Sequence, residues 1–257
     1  MPKKKNKIAG WKALLIMTAL MLLAAGVIYG YVKWKEYHVH FVRYAAFGID
    51  IPVNYDIHGI DVSHHQDVID WDEVKSMNVE NMQLSFTFIK ATEGLINVDR
   101  MFRRNWFKAR EEGITRGAYH FFIATKSGKK QADIFIAQVT LEPGDLPPVL
   151  DVEQLYGARP KDLRARVKEW LCTIEEYYKV KPIIYTNVDF YDHYLGDEFD
   201  EYPLWVAHYL QPHNPRIKRE WTFWQHSETG RVNGIVNRVD FNVFKGDSTD
   251  FKQLLLQ

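Results

Sequence analysis

The sequence predicts an α/β protein, an irregular eight-stranded barrel preceded by one apolar helix at the N-terminus. Three observations predict this class. Five apolar runs of strand character alternate with segments of helical periodicity between residues 58 and 187. Three more strand-like runs follow residue 200, with poor helices between them. An uncharged apolar stretch of membrane-spanning length precedes them all. A doubly wound open sheet would fit the first half equally well.

The N-terminal segment has the features of a transmembrane helix. Residues 13–32 carry no charge, and at about 1.5 Å per residue they cover the ~30 Å of bilayer hydrocarbon. Residues 1–12 form a basic stub that should stay in the cytoplasm, so the rest is predicted to be extracytoplasmic, in the periplasm or at the cell surface. The competing interpretation is a secretory signal cleaved near Ala24–Gly26, which would release the protein. Residues 33–56 are predicted to form a stalk and residues 57–257 the barrel.

The first five strands are β-branched and aromatic runs that end in glycine or polar residues. They are HGIDVS (58–63), LSFTFIKATEG (84–94), RGAYHFF (116–122), LPPVLDVE (146–153) and KPIIYTN (181–187). Helical spacing separates them, with Gly113 placed to end one helix and Ser127 to begin the next. The last three strands are YPLWVAHY (202–209), WTFWQHS (221–227) and VDFNVF (239–244). Five strand–helix units and three strands predict a modified TIM-like barrel, (β/α)5(β)3.

Bulk composition argues against two kinds of site. Lys+Arg and Asp+Glu are both 33, so the net charge is zero and gives no electrostatic case for nucleic acid. Cys172 is the single cysteine, which excludes an intrachain disulfide or a cysteine-based zinc site. The adjacent pair His64–His65 is a poor metal site, because neighbouring side chains point apart and no spaced third ligand follows. We expect no cofactor and no metal, and the oligomeric state stays open.

Polar residues gather at the predicted carboxyl ends of the strands. In a barrel of parallel strands these ends meet at one mouth, where functional side chains lie. Nine such residues are expected around one cavity: Asp61, Glu93, Tyr119, Asp151, Glu153, Tyr185, Trp205, Gln225 and Asp240. The aromatic members would offer apolar platforms to sugar rings.

The stretch LPPVLDVEQ (146–154) ends an apolar run with two carboxyls, Asp151 and Glu153. Residues two apart in a strand point to the same face, with Cα atoms about 6.5–7 Å apart. Carboxyls this close repel, so the pKa of one should rise while that of the other stays low. Glycoside hydrolysis uses such a pair, one carboxyl as proton donor and the other to stabilise positive charge. The alternative is an exposed strand end without a function.

Eight spaced motifs resemble glycoside hydrolase family 25, the lysozymes that cleave peptidoglycan between N-acetylmuramic acid and N-acetylglucosamine. In chain order, between residues 57 and 246, they are GIDVSHHQDVIDWDEV, FIKATEG, RGAYHFF, LPPVLDVE, IIYTN, LWVAHY, FWQHSETGRVNGI and VDFN. The resemblance implies the irregular barrel already counted, an N-acetylmuramidase activity and peptidoglycan glycan strands as the partner.

The same resemblance implies roles for individual residues. Glu153 resembles the family's general acid, and Asp151 resembles the carboxylate that orients or stabilises a reacting acetamido group. Asp61 and Asp240 resemble the other two acids of the groove. Three aromatic residues fall in motifs of the family's substrate surface: Tyr119, Trp205 and Tyr209. Net retention assisted by the substrate's N-acetyl group is also implied.

Two features depart from the family pattern. Gln66-Asp67 stands where the family commonly has Gln-Gly, which is expected to alter the loop beside Asp61. No wall-binding repeats follow the last strand, so targeting is expected to depend on the anchor. Two other functions stay open: hydrolysis of another N-acetylated glycan such as chitin, and a wall-binding module without turnover. The presence of all four acids favours an enzyme.

Overall fold

The computed structural model describes residues 7–257, which fall into two compact units. Residues 1–6, half of the predicted basic stub, lie outside the described residues. The first unit contains helix α1 (Lys7–Tyr37), in which Trp11–Val32 form a 22-residue segment with a mean hydropathy of 2.2. This segment is long and apolar enough to cross a membrane, a property that a signal sequence would share.

The second unit begins with a hairpin of two antiparallel strands, β1 (Phe41–Tyr44) and β2 (Ile49–Pro52). Phe47 between them is fully buried, and its ring centroid lies 5.3 Å from that of Phe241 in the barrel. The hairpin therefore packs as part of the barrel unit. This corrects the predicted stalk over residues 33–56, because the barrel unit starts with β1 rather than at residue 57.

Eight strands close into a barrel. They are β3 (His58–Val62), β4 (Leu84–Glu93), β6 (Thr115–Phe121), β7 (Val149–Asp151), β8 (Ile183–Asn187), β9 (Leu204–Ala207), β10 (Phe223–Gly230) and β11 (Val239–Phe244). A short β5 (Asn97–Val98) folds back on the end of β4. Strands β3 to β10 are parallel neighbours, whereas β11 closes the ring antiparallel to both β10 and β3. The predicted barrel is confirmed, and the open-sheet alternative is wrong.

Helices cover the outside of the barrel. They are α2 (Trp71–Ser76), α3 (Phe102–Glu111), α4 (Gly128–Gln138), α5 (Pro160–Tyr178), α6 (Val188–Phe190) and α7 (Ser248–Leu254), with further helical turns at 64–66 and 191–199. As predicted, the Ser127 side chain accepts a hydrogen bond from the Lys130 N–H at the start of α4. Gly113 follows α3 with a φ of 68°, the left-handed conformation that glycine tolerates at a helix end.

An apolar cluster fills the barrel interior on the side away from the carboxyl ends of the parallel strands. Phe86 and Phe88 of β4 point inward, and the Phe88 ring stacks on Trp205 with centroids 4.4 Å apart. Glycine provides the space, since a Cβ on Gly117 would lie 2.6 Å from the Phe88 ring. Because this end is filled, an open cavity can form only at the opposite mouth.

Candidate active site

The mouth of the barrel holds a cavity of ≈ 350 Å³. Side chains alternate across a strand, so the inward series Phe86 and Phe88 continues to Lys90 at the mouth. Asp61 lies near the carboxyl end of β3, and Asp240 near the amino end of β11 is its direct cross-strand partner. Because β11 is antiparallel, its amino end reaches the same mouth.

Nine of the ten predicted site residues line this cavity, namely Asp61, Tyr119, Asp151, Glu153, Tyr185, Trp205, Tyr209, Gln225 and Asp240. Glu93 is the exception. A register shift between Lys90 and Thr92 breaks the alternation of β4, and the Glu93 carboxylate accepts a hydrogen bond of 2.6 Å from the Lys90 ammonium. The expectation that Glu93 lines the cavity is therefore corrected: it contacts a residue that does.

Two side-chain amides hold the Asp61 carboxyl. Gln225 Nε2 and Asn242 Nδ2 each donate to Asp61 Oδ2 at 2.8 Å, and Gln225 Nε2 also lies 3.5 Å from Asp240 Oδ2. Burial raises the pKa of Asp61, and these amide donors oppose the rise. Burial raises the pKa of Asp240 more strongly, and the neighbouring Asp61 charge adds to it. Around neutral pH the pair is therefore expected to hold one proton, on Asp240.

Each amide is oriented in turn by aromatic donors. The hydroxyls of Tyr185 and Tyr209 donate to Gln225 Oε1 at 2.7 and 2.5 Å, and Trp205 Nε1 donates to Asn242 Oδ1 at 2.8 Å. These bonds fix which end of each amide faces Asp61. Trp205 is only 2% exposed, so its indole supports the site from below and offers little surface to a ligand.

The Asp151–Glu153 pair lies on the same side of the mouth, with unequal exposure. Asp151 is 7% exposed, and its Oδ1 has no hydrogen-bond partner among the described residues; Glu153 is half-buried. Burial, with the Glu153 charge second, raises the pKa of Asp151 well above its ordinary value. Burial, with the Asp61 charge second, also raises the pKa of Glu153. The prediction that one of the two pKa values stays low is wrong, because both carboxyls lose water.

Hydrogen bonds hold the loop after β3. Ser63 and Gln66 cap the helical turn between them, and His64 Nδ1 lies 2.8 Å from Asp99 Oδ2. No group of three metal-ligating side chains occurs within residues 7–257. Asp67 has a φ of 55° and a ψ of −136°, a conformation that strongly favours glycine. Asp67 is therefore strained at a position where glycine would not be.

The cavity and its hydrogen-bond network also include residues that were not predicted, among them Lys90, Phe121, Glu228 and Asn242. Alternation could have found three of them, and one is Phe121, which lies two residues from the predicted Tyr119 in β6. Lys90 shares the inward face of β4 with Phe88, and Asn242 lies two residues from Asp240 in β11. Glu228 follows an irregularity in the pairing of β10, which breaks the alternation that would have placed it.

A closed barrel with an acid-lined cavity at the carboxyl ends of its parallel strands is an architecture of glycosidases. The family description "Glycosyl hydrolases family 25" matches residues 60–235. The chain is 48% identical over 212 residues to protein YegX of Escherichia coli strain K12, covering 81% of this chain and 78% of YegX. It is 36% identical over 211 residues to Lysozyme M1 of Streptomyces globisporus, covering 75% of this chain and 69% of that protein.

A solved structure of a family 25 glycosyl hydrolase from Bacillus anthracis is also similar. It superposes with a TM-score of 0.73 at 32% sequence identity, covering 85% of this chain and 98% of that chain. The chain belongs to glycosyl hydrolase family 25 and is a glycosidase.

Proposed function

We propose that the protein hydrolyses the β-1,4 bond between N-acetylmuramic acid and N-acetylglucosamine in peptidoglycan. Membership of family 25 and the similarity to a protein named Lysozyme M1 support a peptidoglycan substrate. The observation that carries the proposal is the meeting of Asp61, Asp151, Glu153 and Asp240 in one cavity of the barrel. Crowded, partly dehydrated carboxyls are the groups that glycoside hydrolysis requires.

In the proposed reaction Glu153 is the general acid. Its proton passes to the glycosidic oxygen as the bond between that oxygen and C1 of muramic acid breaks. The carbonyl oxygen of the sugar's own acetamido group forms a bond to C1 at the same time. Water then attacks C1, the ionised Glu153 takes a proton from it, and the acetamido group is released with net retention.

Asp151 is proposed to bind the acetamido N–H. Its Oδ1 is buried and lacks a hydrogen-bond donor among the described residues, so a substrate N–H would satisfy it. Before substrate binds, burial raises the pKa of Asp151 well above its ordinary value, which favours a proton on Asp151. A donated N–H would lower this pKa, while a bound sugar would exclude water from Glu153 and raise its pKa. Substrate would thereby move the proton preference to Glu153.

The test is digestion of purified peptidoglycan by the full chain, followed by mass spectrometry of the new reducing ends. Muramic acid at those ends, with none released by Glu153→Gln, is the expected result. Reducing ends at N-acetylglucosamine would contradict the proposed bond. Turnover of chitin but not of peptidoglycan would mean that the substrate is chitin. Binding of peptidoglycan without release of new reducing ends would indicate a wall-binding module.

We further propose that α1 anchors the protein with the barrel on the extracytoplasmic side. The apolar segment Trp11–Val32 and the lysines before it support this orientation. Cell fractionation should find the intact chain in the membrane, released by detergent but not by high salt. A freely soluble mature protein whose N-terminus lies beyond Gly26 would support the signal-sequence alternative instead.

A further inference from the structure

Lys90 is the one lysine or arginine that lines the cavity within the described part of the chain. Five carboxyls share the lining with it: Asp61, Asp151, Glu153, Glu228 and Asp240. The Lys90 side chain is 12% exposed, so solvent screens its charge only partly. A single poorly hydrated cation among five acids must affect how those acids ionise.

Two contacts fix the Lys90 ammonium. It donates to Glu93 Oε2 at 2.6 Å, and it lies 4.7 Å from the centroid of the Phe121 ring. Phe121 is the direct partner of Asp151 in the pairing of β6 with β7. The Lys90 side chain therefore extends from β4 across β6 towards β7, the strand that leads into the Asp151–Glu153 pair. Glu93 holds it from the side that does not line the cavity.

Several charged or titratable groups affect the pKa values of the Asp151–Glu153 pair. Asp151 is affected by Glu153, Lys90, Asp61 and Glu93, and it in turn affects the hydroxyls of Tyr119, Tyr156 and Tyr185. Glu153 is affected by Asp61 and Lys90, and it affects Asp240, Tyr156 and Tyr185. Among these groups Lys90 lowers the pKa of both Asp151 and Glu153, while Glu93 raises that of Asp151.

We propose that Lys90, held by Glu93, is a positioning residue that sets the ionisation of Asp151 and Glu153 during turnover. The inference rests on the proposed roles of those two acids. The reaction needs Asp151 ionised and Glu153 protonated at the same pH. Lys90 stabilises the ionised Asp151, and the charge of its partner Glu93 opposes that stabilisation. The ion pair therefore sets the pH range in which both conditions hold.

The test is the pH profile of kcat for the full chain on purified peptidoglycan, in which the acidic limb reports Asp151 in the bound complex. Lys90→Met removes the cation at similar side-chain length, and we expect the acidic limb to move to higher pH. Glu93→Gln removes the opposing charge, and we expect the acidic limb to move to lower pH. Lys90→Arg keeps the charge and should restore the original limb. Lys129→Met breaks an exposed ion pair on α4 as the matched control and should leave the profile unchanged.

Shifts of the acidic limb in opposite directions for Lys90→Met and Glu93→Gln would support the inference, because a purely structural defect would lower the rate without shifting the acidic limb. An acidic limb that does not move, or that moves in the same direction in both variants, would overturn it. A ¹³C NMR titration of the carboxyls, without substrate, separates this outcome from failure of the proposed function. If the unmodified protein does not cleave peptidoglycan, the proposed function fails. The NMR comparison of Lys90→Met with the unmodified protein then still decides whether Lys90 controls the two acids.

Discussion

Replacing Trp205 by phenylalanine would remove one hydrogen-bond donor from the support of Asp61. The indole N–H donates to Asn242 Oδ1 at 2.8 Å, and both residues are buried. Without this donor the buried amide oxygen stays unsatisfied, which costs about 1–3 kcal/mol. The smaller ring also leaves a void, and the void adds its own loss of stability.

Trp170→Phe separates these two contributions. Trp170 is fully buried like Trp205, but its Nε1 has no hydrogen-bond partner among the described residues. The same substitution there creates a similar void and breaks no hydrogen bond. The free energy of unfolding should therefore fall further for Trp205→Phe than for Trp170→Phe, by about 1–3 kcal/mol.

The assay is urea unfolding of the purified chain in detergent, together with steady-state kinetics on peptidoglycan. Because Asn242 would no longer be fixed towards Asp61, we expect kcat to fall for Trp205→Phe while KM changes little. Trp170→Phe should leave both kcat and KM unchanged. Equal losses of stability in the two variants would refute the reasoning from the hydrogen bond. A rise in KM alone would mean that Trp205 binds substrate directly.

Two further predictions concern stability. Asp67→Gly should raise the free energy of unfolding by roughly 1 kcal/mol, because relief of backbone strain exceeds the entropy that glycine adds to the unfolded chain. Asp67→Ala, the control, should not raise it. If urea unfolding shows no gain for Asp67→Gly, the strain argument is contradicted. Burial lowers the pKa of His226 to about 3, so from about pH 6.5 downward the unfolded chain binds a proton that the folded protein does not, and stability falls. Since neither ring nitrogen of His226 has a partner among the described residues, His226→Phe should lose less stability than the unmodified protein between pH 7 and pH 5; equal losses would count against this cause.

The sequence was sufficient for the barrel because strand character is local. Each barrel strand overlaps the apolar or aromatic run that predicted it, and Asp61, Asp151 and Glu153 stand near the ends of those runs. The direction of β11 is not local, since alternation reads the same in both directions. Asp240 still reached the predicted mouth, because an antiparallel strand brings its amino end there. The hairpin around Phe47 was missed because burial against Phe241 depends on the assembled barrel.

The site was predictable to the extent that strand alternation continues undisturbed. Glu93 does not line the cavity and instead accepts a hydrogen bond from Lys90, which strand spacing does not predict, and the irregular pairing of β10 hid Glu228. The relative pKa values of Asp151 and Glu153 could not be predicted from the sequence either. Their spacing predicts that the two carboxyls repel each other, but it does not predict how much water each one loses on folding. Asp151 is more deeply buried than Glu153, and burial raises the pKa of Asp151 well above its ordinary value.

The most direct measurement is the turnover of purified peptidoglycan by Glu153→Gln relative to the unmodified protein. Loss of a general acid should reduce kcat by about 10²–10⁴-fold while fold and substrate binding persist. Gln154→Ala, at the exposed neighbouring position, should keep the original rate and serves as the control. A Glu153→Gln protein that turns over within about tenfold of the unmodified one would mean that the proton reaches the leaving sugar from another group.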